Sequence, residues 1–482
     1  MPVATESPED RPRASLRRIV LGVSQYTVAR GLAGAVRLAA LPLIVHAVSA
    51  AAFGALTALW MFVLVLLACC DLGLGTAALR LAPECPTEAE RRVLFGTLLA
   101  QRAASALVVS GLVAGFRVPI AKLVTGNAAD AHALLLLLPS LPLAALFEGV
   151  MDELRSRHAF SRVSLGVLVA QCAVQALSVL LTVRLKWGLG GLVVAQSVGQ
   201  ALALATGIAL AGKARFGSPS LAVLRRLGGF GWPLGTLYLL TTLRGMDRLI
   251  VRGAESLEAV GAYELAARLT GPIGLVNLGL LMVLEPVVYR HASSPRTRVL
   301  LDRYVRAYAT VFGVVAMAIS ALSVEIVNAF APVAYRAAAL ALPGLAFAAA
   351  CDGLVRPSGI GADFGKRTRV WAVTSTLSLS LGLAFTLALV PRVGVAGASI
   401  GWVVASVTAV IVAYRAGRAV SGIVLPVAPA LIVLASGAVL ATLAVFRGWA
   451  VLVRLTLLAG FAVAAVVVLR PNFRDMVRSA EV

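Results

Sequence analysis

Residues 52 to 84 read AFGALTALWMFVLVLLACCDLGLGTAALRLAPE. From 52 to 79 this run is apolar and long enough to cross a bilayer, for which roughly twenty consecutive residues suffice. Working outward from it, comparable stretches lie at 24 to 48, 93 to 115, 131 to 151, 159 to 183 and 187 to 212. A second set follows at 229 to 251, 258 to 288, 304 to 327, 331 to 355, 369 to 390, 394 to 414, 425 to 446 and 449 to 469. The chain therefore carries about fourteen candidate spans. Lipid supplies no hydrogen bonds, so a spanning backbone must satisfy itself as a helix or a closed barrel. The runs are continuous and lack the alternation of barrel strands. The expected fold class is an all-α, polytopic integral membrane protein.

Basic residues set the expected orientation, because Lys and Arg are retained on the cytoplasmic side. Arg11, Arg13, Arg17 and Arg18 precede the first span; Arg91 and Arg92, Arg155 and Arg157, then Lys213, Arg215, Arg225 and Arg226 follow at every second connection. The series continues with Arg290, Arg296, Arg298, Arg303 and Arg306, with Arg356, Lys366, Arg367 and Arg369, with Arg415 and Arg418, and with Arg470, Arg474 and Arg478. The even-numbered connections and the termini hold about 28 basic residues and the odd-numbered connections about 7. Both termini are expected in the cytoplasm, with an even number of spans. The net charge of +21 is thereby mostly loop charge facing an anionic leaflet. Nucleic acid is not an expected partner, since no basic stretch is interleaved with aromatic stacking platforms. Nor is a cleavable signal peptide expected: the basic lead is long, and Arg30 and Arg37 interrupt the first apolar segment.

Enzymatic classes find little support. His46, His132, His158 and His291 fall at span ends or in loops without metal-ligand spacing. Cys69, Cys70, Cys172 and Cys351 lie in spans and Cys85 in a cytoplasmic loop, with no disulfide or metal pattern. The pair Gly365 and Lys366 lacks the leading Gly and the following Ser or Thr of a phosphate-binding loop. No ATP site is expected in this chain, and no resident cofactor or metal; coupling to a proton or sodium gradient is left as the energy source. Loops between spans are too short for an extramembrane catalytic domain.

The chain repeats itself. Arg37 precedes Gly54 by the same separation as Arg244 precedes Gly261, within the similar stretches Ala52, Phe53, Gly54, Ala55 and Ala259, Val260, Gly261, Ala262, Tyr263. The turn Gly188, Leu189, Gly190, Gly191 recurs as Gly394, Val395, Ala396, Gly397 at nearly the same offset of about 206 residues. Two-lobed transporters show such symmetry. The expected domains are a six-helix lobe over 1–212, a second over 213–418, and two added helices with a tail over 419–482.

On these residues a resemblance rests. The 52 to 84 stretch, with its Phe-Gly pair leading into a helix that closes on Asp71, Leu72 and Gly73, resembles the polysaccharide or lipid-linked oligosaccharide flippases of the multidrug/oligosaccharidyl-lipid/polysaccharide (MOP) exporter superfamily. Asp247 to Ile250 with Val260 to Tyr263 and Ala266 look like that family's seventh and eighth helices, and PRVGVAGAS at 391 to 399 is similar to its turn into helix twelve. The resemblance implies two six-helix bundles around a central cavity. It also implies movement of polyprenyl-pyrophosphate-linked sugars across the bacterial inner membrane by alternating access.

Independently of that likeness, the informative chemistry is charge placed where it is costly: at least about 2.5 to 3.5 kcal/mol for an ionised side chain at the bilayer centre. Arg30 and Arg37, seven apart, differ by about 20° around a helix and share a face with Tyr26. Arg244 and Arg248, four apart, share another, and Arg102 sits inside the third span. With Tyr26, these arginines are the candidate substrate-binding residues, because guanidinium forks fit a pyrophosphate. The competing reading pairs each with an acid or a membrane interface: Asp247 is beside Arg248, Glu264 is four residues from Arg268, and Arg336 and Arg454 read as interfacial anchors. Asp247, Glu264, Arg268, Asp71 and Glu285 are the candidate coupling or gating residues. Glu148, Asp152 and Asp352 are expected near cytoplasmic span ends, paired with loop arginines. Three functions fit: a flippase for an anionic lipid-linked glycan; a drug or cation antiporter of the same fold; and a non-transporting scaffold that recruits polysaccharide polymerase and glycosyltransferases. The basic character of the candidate cavity disfavours cationic cargo.

Overall fold

The computed structural model describes residues 10–212, 216–290, 295–365, 367 and 369–469. Lys213, Arg215, His291, Lys366, Arg470, Arg474 and Arg478, used above as orientation markers or weighed as ligands, lie outside the described residues. Every regular element among the described residues is helical. The helices are α1 (Asp10–Ala47), α2 (Ala50–Asp71), α3 (Leu74–Leu81), α4 (Glu88–Gly115), α5 (Arg117–Val124), α6 (Ala131–Leu137), α7 (Ser140–Ser156), α8 (Phe160–Val179), α9 (Gly188–Ala211) and α10 (Leu221–Leu243). There follow α11 (Asp247–Ala254), α12 (Leu257–Arg290), α13 (Pro295–Ala321), α14 (Ser323–Phe330), α15 (Ala338–Phe364), α16 (Arg369–Val393), α17 (Val395–Ser421), α18 (Val427–Phe446) and α19 (Val451–Leu469).

Thirteen segments of the described chain are long and apolar enough to cross a membrane. This is a multi-pass membrane protein. The expected seventh span, 229 to 251, is divided between α10 and α11 by a tight 3-10 turn at Arg244–Met246. Arg225, Arg226, Gly228, Gly229, Gly231 and Gly235 also dilute the apolar character of α10. The second expected span is likewise broken, between α2 and α3, where Leu72 and Gly73 take positive φ of 48° and 76°. The fourth divides at Pro139, between α6 and α7. In contrast, the tenth runs past Pro357: α15 continues to Phe364, which places Asp352 mid-helix rather than near the expected end at 355. A proline removes one backbone bond, and a membrane helix tolerates this where its neighbours satisfy the freed carbonyl.

The described chain forms two compact units. The first takes the chain up to Ala40, Val63–Ile120 and Ala131–Leu239. Within it α8 packs on α9, and α4 and α9 on α7. Phe147, Met151, Leu154 and Val163 form a buried core there, against which Tyr26 packs. The second takes Leu41–Phe62, Ala121–Asp130 and the chain from Leu240 onward. Here α15 and α16 lie along α17, and α12 and α13 along α15. Its core is richer in aromatics, with Tyr308 stacked on Phe312 at 4.3 Å and Phe347 edge-on to Phe461.

The internal repeat has a structural counterpart in each unit. Gly188 and Gly394 both hold positive φ, 55° and 66°, as the chain turns into α9 and α17. Gly191 sits against Leu181 and Trp187, and Gly397 against the backbone of Leu389 and Val390; a Cβ at either would crowd the preceding segment. In the second unit the repeat-related Gly54 and Gly261 meet. A side chain on Gly54 would strike the Leu257 carbonyl and the Gly261 amide, and one on Gly261 the Ala50 carbonyl. The starts of α2 and α12 therefore cross backbone to backbone, which only small residues allow.

Candidate functional site

The first unit gathers charge at the α2–α3 break. There the Asp71 carboxylate accepts the Gly73 N–H at 3.2 Å and the Gly75 N–H at 3.3 Å, capping the start of α3. An acid suits that position, because the first amides of a helix lack intrahelical partners and present partial positive charge. Arg102 of α4 donates from Nε to Asp71 Oδ1 at 2.8 Å and also pairs with it through Nη2. Its Nη1 lies 3.1 Å from Asp152 Oδ2 on α7. Gly75 makes room for this clamp, since a Cβ there would meet both Arg102 and Asp152. Arg155 then bridges Asp152 at 2.7 Å and Glu148 at 3.2 Å. These five side chains line a cleft of about 200 Å³ closed by Leu67, Ala145 and Tyr238. Three carboxylates face two guanidiniums. Arg102 is only 5% exposed, so its charge is spent inside the protein.

The second unit builds a different network across the α10–α11 break. Asp247 is fully buried and takes three donors: the Tyr263 hydroxyl at 2.6 Å, the Trp402 indole N–H at 2.6 Å and Arg248 Nη1 at 2.8 Å. Glu264 accepts from Arg248 at 3.0 Å and from Arg268 at 2.8 Å. Arg268 also lies over the Phe53 ring, at 4.7 Å. Arg244 stands apart: Nη2 reaches Asp352 at 3.2 and 3.5 Å, the guanidinium lies 4.7 Å above the Trp402 ring, and Nε and Nη1 bond to no described residue. Arg244, Arg248, Tyr263, Thr270, Asp352 and Trp402 line a cleft of about 230 Å³, floored by small residues such as Ala267, Ala348 and Ala349. The break thus divides Arg244 from Arg248, which were expected on one face of a continuous helix, yet both reach the same cleft. Irregular backbone at membrane depth is tolerated where it lines a cavity or is buried in protein.

Arg30 and Arg37 are exposed on the span Gln25–Ala47. The Arg30 guanidinium lies 5.1 Å from the Tyr26 ring and forms no ion pair with a described residue. Glu285 pairs with Arg356 at 3.0 Å; Arg356 stacks on Trp371 and also reaches Asp363. Asp363 in turn accepts from Trp371 and Tyr289. Arg454, expected as an interfacial anchor, is instead buried. It holds Glu325 through two contacts, at 2.6 and 3.1 Å, and the Ala321 carbonyl at 2.8 Å. A buried guanidinium needs such partners, and α14 and α13 supply them. Among the described residues no group of three or more His, Cys, Asp or Glu side chains is placed to hold a metal ion.

Residues 19–291, more than half of the chain, match the polysaccharide biosynthesis protein family. The chain belongs to that family. No curated protein matches the sequence. Among solved structures, the lipid II flippase MurJ in an inward closed conformation superimposes with a TM-score of 0.71 at 14% identity, covering 94% of this chain and 99% of its own. An inward-facing multidrug resistance MATE family transporter of the MOP superfamily gives 0.62 at 15% identity over 83% and 97%. The Vibrio cholerae MATE transporter VcmN in its bent form gives 0.56 at 16% identity over 84% and 98%. The fold of this polysaccharide biosynthesis protein is therefore the one shared by MurJ and the MATE transporters.

Several members of its charge clusters escaped the sequence reading. Trp402 sits in an apolar span with no local mark of its role, although a buried indole N–H wants an acceptor. Tyr263 enters the sequence only as part of a motif, and Asp352, expected to pair with a loop arginine near a span end, instead meets Arg244 from mid-helix. Nothing local to Asp152 marks it as a partner of Arg102, because the contact joins separate helices.

Proposed function

We propose that this protein is a flippase of the bacterial inner membrane. In this reading it translocates a polyprenyl-pyrophosphate-linked oligosaccharide, or a related lipid-linked polysaccharide precursor, by alternating access through an arginine-lined cavity. The observation that carries the reading is Arg30, a guanidinium inside a candidate span with an aromatic neighbour and no carboxylate among the described residues. Charge inside an apolar span is expensive, and a site for a pyrophosphate accounts for keeping it. Arg37 on the same helix and the half-exposed Arg244 add further donors. The family match supports a place in polysaccharide biosynthesis. A proton or sodium gradient is the proposed energy source, with Asp71 and Glu285 as gating acids through their arginine partners. Polymerase and glycosyltransferases are the proposed cytoplasmic and membrane neighbours.

Replacing Arg30 and Arg37 together by Ala tests this. A flippase loses glycan export and accumulates the lipid-linked intermediate on the cytoplasmic leaflet, at unchanged membrane abundance; normal export would overturn the reading in favour of a scaffold. A cation antiporter is the second reading, favoured by one observation, the excess of carboxylate over guanidinium in the cleft of Asp71, Glu148 and Asp152. Export of a cationic dye that survives the double substitution would select it.

Orientation has its own check. Cys85 lies between the candidate spans Ala50–Asp71 and Glu88–Gly115, in a proposed cytoplasmic loop, and burial pushes its thiol up from the ordinary range. In a variant retaining only that cysteine, an impermeant maleimide should label inside-out but not right-side-out vesicles. Because the thiolate is the reactive form, labelling should speed up as the medium becomes more alkaline.

A further inference from the structure

Arg244 and Asp352 are the loosest ion pair at the broken helix. Their side chains are 39% and 38% exposed, against 14% and 16% for Arg248 and Arg268. The contact is made by one guanidinium nitrogen at 3.2 and 3.5 Å rather than by two parallel bonds. Asp352 has no other hydrogen-bond partner among the described residues, whereas Asp247, in the same cluster, is held by three donors. Glu264, the remaining acid of the network, is engaged by Arg248 and Arg268. Asp352 is therefore not an anchor of the fold. It is a carboxylate parked on the most exposed guanidinium of the network, one that keeps donors to spare.

We propose that Asp352 is a built-in competitor for the anionic group of the cargo: it occupies Arg244 when the cleft is empty and is displaced when a phosphate or pyrophosphate enters. This rests on the flippase reading and adds to it a residue that sets affinity. The chemistry follows from charge and geometry. An arginine fork binds phosphate oxygens in a bidentate manner, with shorter and stronger bonds than a single long contact to a carboxylate. Trp402 holds the guanidinium plane in place during the exchange, through the stacking seen at 4.7 Å. Ala267, Ala348 and Ala349 leave room beside it, and Arg248 and Thr270 face the same cleft. A resting counter-charge also spares Arg244 from standing alone against the apolar wall of the cleft, where an unpaired charge is costly. The competitor must be weak enough to leave, and half-exposed pairs are weak.

The test uses full-length protein in nanodiscs, titrated with inorganic pyrophosphate in one arm and with a polyprenyl pyrophosphate in the other. Binding is read by tryptophan fluorescence, with Trp402→Phe reporting how much of the signal arises beside Arg244. Asp352→Asn should tighten binding by about fivefold, the size of a half-exposed pair. Asp352→Glu, which keeps the competing charge, should bind like the wild type. Arg244→Gln should weaken binding, and adding Asp352→Asn to it should gain nothing. Equal or weaker binding by Asp352→Asn, in a variant that stays monodisperse, overturns the competitor role while a loss in Arg244→Gln keeps the anion site. Tightening with inorganic pyrophosphate alone assigns the site to a soluble anion and leaves the competitor role standing. Failure of every form, wild type included, to bind either probe removes the flippase reading and this proposal with it.

Discussion

Arg102 in the first unit and Arg244 in the second are both guanidiniums in a membrane protein, each facing a carboxylate, and they do opposite things with the same chemistry. Arg102 is 5% exposed and clamped between Asp71 and Asp152, and Asp71 in turn caps the next helix. Arg244 makes one long contact, is 39% exposed and keeps two nitrogens free of described partners. Residue type does not separate a structural arginine from an available one; the number of satisfied donors and the water left around them do. The same comparison holds for the acids, with Asp152 buried between two arginines and Asp352 half-exposed against one.

Arg102 gives the first test of that difference. Arg102→Ala leaves Asp71 and Asp152 without their shared cation in a buried cleft, and removing one partner of such a cluster costs about 3 to 5 kcal/mol. The expected outcome is loss of folded protein from the membrane, read as a collapse of the monodisperse peak in size-exclusion chromatography after mild heating. Wild-type heat resistance in that variant would mean the clamp is not structural. Gly73→Ala should come next. Gly73 holds a φ of 76°, and a Cβ there would run into the backbone of Gly231 and Gly235 on α10. Left-handed backbone with a side chain costs about 1 to 2 kcal/mol, and overpacking about as much again. Stability in the same heating assay should drop by an intermediate amount, and Asp71, whose carboxylate bonds the Gly73 and Gly75 amides, should lose its cap geometry.

Much of the fold was legible because lipid leaves the backbone so few options. Hydropathy alone places nearly every long helix, and the sequence repeat pairs the turns at Gly188 and Gly394, which share a positive φ. What hydropathy misses is where a helix breaks inside an apolar run. The α2–α3 break is fixed by Gly231 and Gly235 far along the chain and by the Asp71 cap, and the α10–α11 break lies in a stretch whose apolar content continues on both sides. At Pro357 the opposite holds, since α15 runs through the proline to Phe364. Within the charge clusters, the local pair Glu264 and Arg268 could be read from spacing. Arg102 with Asp152, Arg244 with Asp352 and Trp402 with Asp247 could not, since each joins helices distant in sequence.

The smallest effect is the most informative one. Arg244→Ala removes a cation of the same type as Arg102, from the same kind of environment by composition, yet its pair is half-exposed and singly bonded, and such pairs contribute about 1 kcal/mol or less. Heat resistance should therefore change little, while Asp352, no longer engaged, faces the cleft and its water. The nearby Asp247 network, with Arg248, Tyr263 and Trp402 intact, should hold α11 against α12 and α17 as before. If Arg244→Ala destabilises as strongly as Arg102→Ala, Arg244 is a second clamp, and the distinction between the two units disappears. If it leaves stability intact and glycan export is lost, the half-exposed arginine is kept for the cargo.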